Sequence, residues 1–168
     1  MSRHNGAMPR FSAGLLPFRF VDGSLQVFLT HMGGPLWERK DAGAWSISKG
    51  EYDPAEEAPV QVARREFLEE VGMPAPDGEY LDLGETRLPS GKRVQIYAVE
   101  TDLPLRFLCS TTFPMEWPPH SGTIGEFPEV DGADWFTPAA AHAKVIKSQR
   151  PILQSLLDLV APHDAPAG

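Results

Sequence analysis

The chain has 168 residues, a formal net charge of -8 at pH 7, 42% hydrophobic residues and 23% charged residues. This length suits one domain with a substantial buried core and is too short for two of ordinary size. Lysines and arginines are scattered along an acidic chain rather than gathered into a stripe, so the electrostatic footprint of a nucleic-acid-binding protein is missing.

The sequence carries no sign of a membrane segment or of export. Its longest apolar runs, "AGLLPF" and "ILQSLLDLV", are far shorter than the roughly 20 residues that span a bilayer. The basic N-terminus "MSRHNGAMPR" is not followed by a hydrophobic signal stretch. Cys109 is the single cysteine, so an internal disulfide is impossible and a cytoplasmic location is expected. We interpret Cys109 as a small buried apolar residue.

Several segments have the period-two alternation of strands. The first candidate is "AGLLPF" (13–18), and Pro17 places it at an edge or a bulge. "LQVFLTH" (25–31) and "RVQIYAVE" (93–100) follow the turn signals "VDGS" and "LPSGK", which predicts strands after hairpin turns. Shorter strand candidates are "AWSIS" (44–48) and "ADWFT" (133–137). A mixed sheet is expected.

Two long connections are predicted to be irregular, at 32–43 and at 109–130, and such segments are usually functional or mobile. The Gly33-Gly34-Pro35 run lacks the lysine and following helix of a P-loop, so we interpret it as a turn.

Two helices are predicted near the C-terminus. Thr137 and Pro138 have the form of an N-cap and first helical residue for a short helix to about Val145. "RPILQSLLDLV" places its leucines and isoleucine on one stripe, as in an amphipathic core helix. The predicted organisation is an N-terminal arm at 1–10, a single domain at 11–160 and a disordered tail at 161–168.

The stretch "PVQVARREFLEEV" predicts a helix from Pro59 to Val71 that Gly72 ends. A short turn at 54–57 is expected before it, because Pro59 would break a helix begun earlier. The face that docks on the sheet is predicted to contain Val60, Ala63, Phe67 and Val71, with Leu68 beside it.

Glu66, Glu69 and Glu70 form a second face of this helix. A solvated acidic face is the simplest interpretation, but like charges at i, i+4 repel and acids near a helix C-terminus oppose its dipole. Arg64 and Arg65 would neutralise part of this charge. A hard divalent cation would satisfy clustered carboxylates better, because Mg²⁺ and Mn²⁺ prefer oxygen ligands.

With Gly50 and Glu57, the segment "GEYDPAEEAPVQVARREFLEEVGM" resembles the Nudix box, G-x5-E-x7-R-E-U-x-E-E-x-G-U with U a bulky apolar residue. Two departures stand out. Six residues rather than five separate Gly50 from Glu57, and Ser48 stands where many relatives have proline. We assign Glu57 rather than Glu56 as the box glutamate, because the loop before Pro59 can absorb an insertion and the helix cannot.

"AGLLPF", "GGPLWERKDAGAWSISKGEY" and "EVDGADWF" are similar to a bacterial Nudix subgroup, so the resemblance covers about residues 11 to 160. It implies an α/β (α+β) fold, the Nudix α/β/α sandwich with a mixed central sheet. It also implies Mg²⁺- or Mn²⁺-dependent hydrolysis of a nucleoside diphosphate linked to another group.

The resemblance implies roles for individual residues. The metal ligands are Glu66, Glu69 and Glu70, with the backbone carbonyl of Gly50. Arg65 orients a box glutamate and Glu57 supports the loop. A general base often lies outside the box on a loop before a late strand, and the candidates are Glu129 first and Glu126 second.

Candidate substrate contacts are basic and aromatic residues in turns and irregular segments. They are Arg39, Arg87, Lys92, Arg93, Trp37 and Trp117, and for the tryptophans packing is the competing interpretation. His31 and His120 are interpreted as structural or surface residues. The expected partner is a small nucleotide, with no nucleic acid or membrane and a possible homodimer. Two alternatives stay open: a non-catalytic nucleotide-binding or regulatory Nudix module, and an acidic metal-binding surface without nucleotide chemistry.

Overall fold

The computed structural model describes residues 10–160. The predicted arm, except residue 10, and the predicted tail at 161–168 lie outside the described residues. The strands are β1 Phe11–Val21, β2 Ser24–Met32, β3 Trp45–Ser46, β4 Ser48–Tyr52, β5 Tyr80–Arg87, β6 Arg93–Glu100, β7 Thr112–Glu116, β8 Ile124–Pro128 and β9 Val130–Phe136. The helices are α1 Pro59–Val71, α2 Pro138–Lys144, a 3-10 turn Lys147–Gln149 and α3 Arg150–Val160.

A mixed sheet of seven strands forms the centre of the fold. Its order is β3-β2-β1-β6-β5, with β4 also paired to β1 and β9 to β2. Only the β1–β6 pair is parallel among the pairs of this sheet that the structure describes. The predicted mixed sheet is confirmed.

Helices cover both faces of this sheet. Leu15 packs with Phe67 and Val71 of α1, whereas its neighbour Leu16 packs with Ile152 and Leu156 of α3. Adjacent residues of a strand point to opposite faces, so the layers are helix, sheet and helix, as predicted. No helix within residues 10–160 is long and apolar enough to cross a bilayer.

The edge or bulge predicted for the first strand is wrong, because β1 lies at the centre of the sheet and its described pairings have no register shift. Pro17 is opposite Val99 of β6. On the other side of β1, pairing with β4 ends at Leu15 and pairing with β2 begins at Phe18. Pro17 falls in the gap between these two partners, so its missing N–H removes no ladder bond there.

The predicted irregular segment 109–130 contains a hairpin of β7 and β8, which is a second sheet of two strands. The rings of Phe113 and Phe127 pack 6.3 Å apart, and Phe113 also lies against Gly34. The alternation of Phe113 and Met115 is too short, and too interrupted by prolines, to stand out in the sequence. Strand β5 was also not predicted.

Helix α1 has the predicted bounds, and Gly72 ends it in the left-handed conformation with φ 85°. The predicted docking face is confirmed for Ala63, Phe67 and Val71, whereas Val60 is only half-buried. Val62 is buried and Leu68 is 49% exposed, because the docking arc is turned toward Val62.

The prediction that Cys109 is buried is wrong, because its residue is exposed. Its segment runs over the end of α1, where backbone hydrogen bonds hold it. The N–H groups of Leu108 and Thr111 donate to the carbonyls of Val71 and Glu69 at 2.8 and 2.9 Å. These bonds satisfy the open end of the helix and bring Thr111 to its acidic face.

Candidate active site

The acidic face of α1 opens on a cavity of about 420 Å³ between β4, the first residues of β1 and the segments flanking the β7–β8 hairpin. The residues that line it are Ser12, Lys49, Gly50, Glu51, Glu66, Glu69, Glu70, Lys92, Thr111 and Glu129. The fold therefore brings the three predicted metal ligands together with Gly50, the first-choice base and one predicted substrate contact.

Gly50 allows β4 and α1 to approach closely. It pairs with Ala13 of β1, and a Cβ atom built on it would lie 1.9 Å from Cδ of Glu66. A side chain at residue 50 would therefore occupy the space that the Glu66 carboxylate now fills.

We expect Gly50→Ala to displace Glu66 and to weaken Mn²⁺ binding by about tenfold or more, because groups that orient metal ligands have effects of this size. Calorimetric titration with Mn²⁺ measures it. Gly132→Ala is the matched control, since its nearest contact would be an ordinary 3.9 Å to His31. Equal Mn²⁺ affinities in the two variants would contradict this role for Gly50.

The carboxylates in the cavity are crowded, and those of α1 are partly buried, whereas Glu51 and Glu129 are exposed. Burial, assisted by the charge of Glu66, raises the pKa of Glu70 to about 8, although a 3.1 Å bond from the Lys49 N–H opposes this shift. Burial and the Glu69 charge raise the pKa of Glu66. Burial also raises the pKa of Glu129, whose charge acts on both Glu66 and Glu70. Without a cation, the cavity therefore favours the protonated forms of Glu66 and Glu70.

Arg65 is the cation that bonds to Glu66 and Glu69 of α1. Its Nε and Nη2 donate to the two oxygens of Glu57 at 3.0 and 2.9 Å, a bidentate pair. Its Nη1 donates to Glu66 at 2.9 Å and to Glu69 at 3.3 Å, and the Glu57 bond is the main cause of a raised Arg65 pKa. Glu56 is exposed, so Glu57 is the loop glutamate that contacts the helix.

We expect Arg65→Lys to lower kcat by about ten- to a hundredfold, because an ammonium cannot reproduce the fork that holds Glu57 while reaching Glu66. Arg64→Lys is the control: Arg64 contacts Asp77 and Tyr80 instead, so its kcat should stay within about twofold of the original. Steady-state kinetics of both variants decides the point. Comparable losses of kcat in the two variants would contradict this role for Arg65.

The donor set fits a hard divalent cation, since the cavity offers several carboxylates and the backbone of Gly50. Ser12 adds a buried hydroxyl without a hydrogen-bond partner in the described part of the chain. Over residues 10–160, however, no three His, Cys, Asp or Glu side chains already converge as metal ligands. Arg65 holds Glu66 and Glu69, and both would have to turn from it toward a cation.

Sequence reasoning missed four cavity residues, Ser12, Lys49, Glu51 and Thr111. Burial and the nearby Lys92 charge lower the pKa of Lys49, and Lys92 lies 3.5 Å from Glu51. Lys49 precedes Gly50 directly, and that adjacency was the available signal. Ser12 and Thr111 are brought to the cavity by tertiary contacts alone.

Other predicted residues lie away from this cavity. Glu126 accepts a hydrogen bond from Thr112, and Arg93 pairs with Glu85. The remaining ones are Arg39, Arg87, Trp37 and Trp117, which also do not line the cavity. Substrate contact with them would require a substrate that extends beyond the cavity walls.

His31 is buried and its ring is held by Asp131 and by the Lys40 carbonyl, in keeping with the predicted structural role. His120 lies in the turn between β7 and β8 with φ 61°.

A larger cavity of about 700 Å³ lies elsewhere on the surface. Its acidic lining residues are Asp77, Glu79, Glu100 and Asp102. Carboxylates without a facing lysine repel a phosphate chain, so the smaller cavity is the better anion site once a cation is bound.

Comparison with known proteins identifies the family and the fold. The family model described as NUDIX domain matches residues 8–156. A search of curated protein sequences finds no match.

Three similar solved structures share the fold at low identity. An Ap4A hydrolase binary complex from C. elegans is 17% identical, with TM-score 0.62 over 89% of this chain and 98% of that one. The NUDIX domain of Shewanella oneidensis NrtR, complexed with ADP ribose, is 15% identical with TM-score 0.59 over 91% and 90%. A NUDIX hydrolase structure from Listeria monocytogenes is 18% identical with TM-score 0.63 over 90% and 94%.

Proposed function

The chain belongs to the Nudix family, and from that membership we propose that it is a Mg²⁺- or Mn²⁺-dependent hydrolase that cleaves a pyrophosphate bond in a nucleoside diphosphate-linked substrate. The observation that carries this proposal is that Glu66, Glu69, Glu70, Glu129 and Gly50 line one and the same cavity. On a fully solvated acidic face, burial would not raise the pKa values of Glu66 and Glu70.

The reaction is the attack of water on a phosphorus atom that carries several negative charges. A bound Mg²⁺ or Mn²⁺ supplies shielding of the phosphates, a lower pKa of the attacking water and stabilisation of the departing oxygen. Glu66, Glu69 and Glu70 would hold that cation, with the Gly50 carbonyl. Arg65 positions Glu66 and Glu69 through hydrogen bonds, and Glu57 holds Arg65 in place.

Glu129 is the proposed general base. Its backbone is fixed on both sides, because its N–H donates to the Thr111 carbonyl and its carbonyl accepts from Gly33, each at 2.9 Å. Burial raises the pKa of its side chain, which brings a carboxylate closer to the proton affinity that a base needs near neutral pH. Lys49 and Lys92 are the cationic groups of the cavity wall that would meet the phosphates.

The substrate class rests partly on the structural neighbours. One is an Ap4A hydrolase and another is complexed with ADP ribose, and both ligands contain a nucleotide pyrophosphate. The candidates for this chain are therefore dinucleoside polyphosphates, ADP-ribose and nucleoside triphosphates. We also propose membership of a bacterial Nudix subgroup, from the segments similar to it, and a cytoplasmic location, from the single cysteine.

A screen of nucleoside diphosphate derivatives with Mg²⁺, with Mn²⁺ and with chelator tests the function. We expect release of a nucleoside monophosphate or phosphate product only with metal, and loss of that release in Glu69→Gln. Thermal stabilisation by a nucleotide without hydrolysis would instead favour a non-catalytic nucleotide-binding or regulatory module.

A further inference from the structure

The strand that leads into the cavity changes partners at Ile47. Before it, Ser46 of β3 pairs with Thr30 of β2, and after it Ser48 of β4 pairs with Leu15 of β1. Ile47 itself falls between the two ladders. Whatever fixes its backbone therefore fixes the start of the segment that presents Lys49 and Gly50.

The linker that follows α2 runs beside this strand as a parallel neighbour. The Gly43 N–H donates to the Lys144 carbonyl and the Ile146 N–H donates to the Trp45 carbonyl, each at 2.9 Å. Trp45 also forms a parallel bridge with the linker. Bonds in a parallel ladder are evenly spaced, so the next one would join the Ile47 N–H to the Ile146 carbonyl.

The side chain of Gln149 takes the place of that carbonyl. The linker turns into the 3-10 helix, where the Ile146 carbonyl accepts the N–H of Gln149 at 2.9 Å. The Ile47 N–H donates instead to Oε1 of Gln149 at 2.8 Å. A side-chain amide thus continues the ladder for one step after the backbone has left it.

The other end of the amide completes a closed set of bonds. Nε2 of Gln149 donates to Oγ of Ser46 at 2.9 Å, and Ser46 Oγ donates to the Ile47 carbonyl at 2.8 Å. Gln149 is only 3% exposed and Ile47 is fully buried. Water therefore cannot replace these bonds, and loss of the amide would leave a buried N–H without a partner.

The cavity lies only a few residues further along the same strand. The Lys49 N–H donates to Glu70 at 3.1 Å, and Gly50 lies directly against the Glu66 carboxylate. A shift of Ile47 along or away from the sheet would therefore change both contacts between β4 and the acidic face of α1.

We propose that Gln149 is a positioning residue that sets the Lys49–Gly50 backbone against the carboxylates of α1. It joins the C-terminal helical segment to the metal-binding strand without contacting substrate or cation itself. The effect on metal binding rests on the proposed function, whereas the effect on the backbone does not.

The test compares Gln149→Met with Gln154→Met. Methionine keeps the length of glutamine but cannot accept from Ile47 or donate to Ser46. Gln154 is an exposed glutamine of α3 that bonds only to Asp158 among the described residues, so it is a matched control. In metal-free protein, we expect Gln149→Met to shift the amide resonances of Lys49 and Gly50 and to speed the hydrogen exchange of Ile47.

With Mn²⁺, we expect affinity to fall by about tenfold in Gln149→Met and to stay unchanged in Gln154→Met. A merely structural role would lower the melting temperature but leave the Lys49 and Gly50 resonances and the Mn²⁺ affinity of the folded protein unmoved, and that result would overturn the proposal. If Gln149→Met does not fold, Ser46→Ala removes the Nε2 acceptor and should shift the same two resonances. If no nucleotide is hydrolysed by the original chain, the proposed function fails and the two amide resonances still decide the role of Gln149.

Discussion

Glu70→Gln is expected to lower the rate of hydrolysis by more than about a hundredfold, which exceeds the usual effect of losing a residue that only orients metal ligands. The same substitution is expected to stabilise the metal-free protein at alkaline pH. Activity falls because an amide is a poorer, uncharged ligand for Mg²⁺ or Mn²⁺. Stability rises because the amide resembles the protonated acid that burial favours. Its Oε1 can still accept the Lys49 N–H.

The direction of the pH effect follows from the raised pKa of Glu70. Between its usual value of 4.5 and about 8, the folded protein holds a proton that the unfolded chain has released. The free energy of unfolding therefore falls as pH rises through this interval. The full difference is on the order of a few kcal/mol, since one pKa unit corresponds to about 1.4 kcal/mol.

Urea unfolding of the original chain and of Glu70→Gln, at several pH values with chelator present, measures this difference. The stability gap should be absent near pH 4.5 and should widen up to about pH 8. Glu56→Gln is the control, because Glu56 is exposed and should change neither activity nor pH dependence. A parallel pair of stability curves for Glu70→Gln and the original chain would refute the burial argument.

Local sequence signals were enough to predict the helix that carries the site. Pro59 and Gly72 mark the ends of α1, and the spacing of its glutamates predicts a shared face. These features depend on neighbours within a few residues, because a helix is built from local hydrogen bonds. The Asp22-Gly23 turn between β1 and β2, with positive φ at both residues, is local in the same way.

The features that sequence reasoning missed depend on contacts between distant segments. Pro17 is harmless at the centre of the sheet because β4 and β2 leave a gap beside it. Gln149 looks like an ordinary polar residue until the fold places it 2.8 Å from the Ile47 N–H. Cys109 has apolar neighbours in sequence, yet its segment lies over the end of α1, held by backbone bonds, and the residue is exposed.

Glu129→Gln is expected to lower kcat by about 10² to 10⁴, the range typical of a lost general acid or base. The amide cannot take a proton from the attacking water, and the cavity offers its other carboxylates to the cation. Mn²⁺ affinity should change by much less than kcat, because Glu129 is assigned to the water rather than to the metal.

The same experiment on Glu126→Gln decides between the two candidate bases. Glu126 is exposed, bonds to Thr112 and does not line the cavity, so its replacement should leave kcat within about twofold. The pH dependence of kcat is an independent test. The fall in kcat at acidic pH reports protonation of the base, so this fall should disappear in Glu129→Gln and persist in Glu126→Gln. If Glu126→Gln instead loses both activity and the fall in kcat at acidic pH, the β7–β8 hairpin must close over the cavity during turnover. The general base would then be Glu126 and not Glu129.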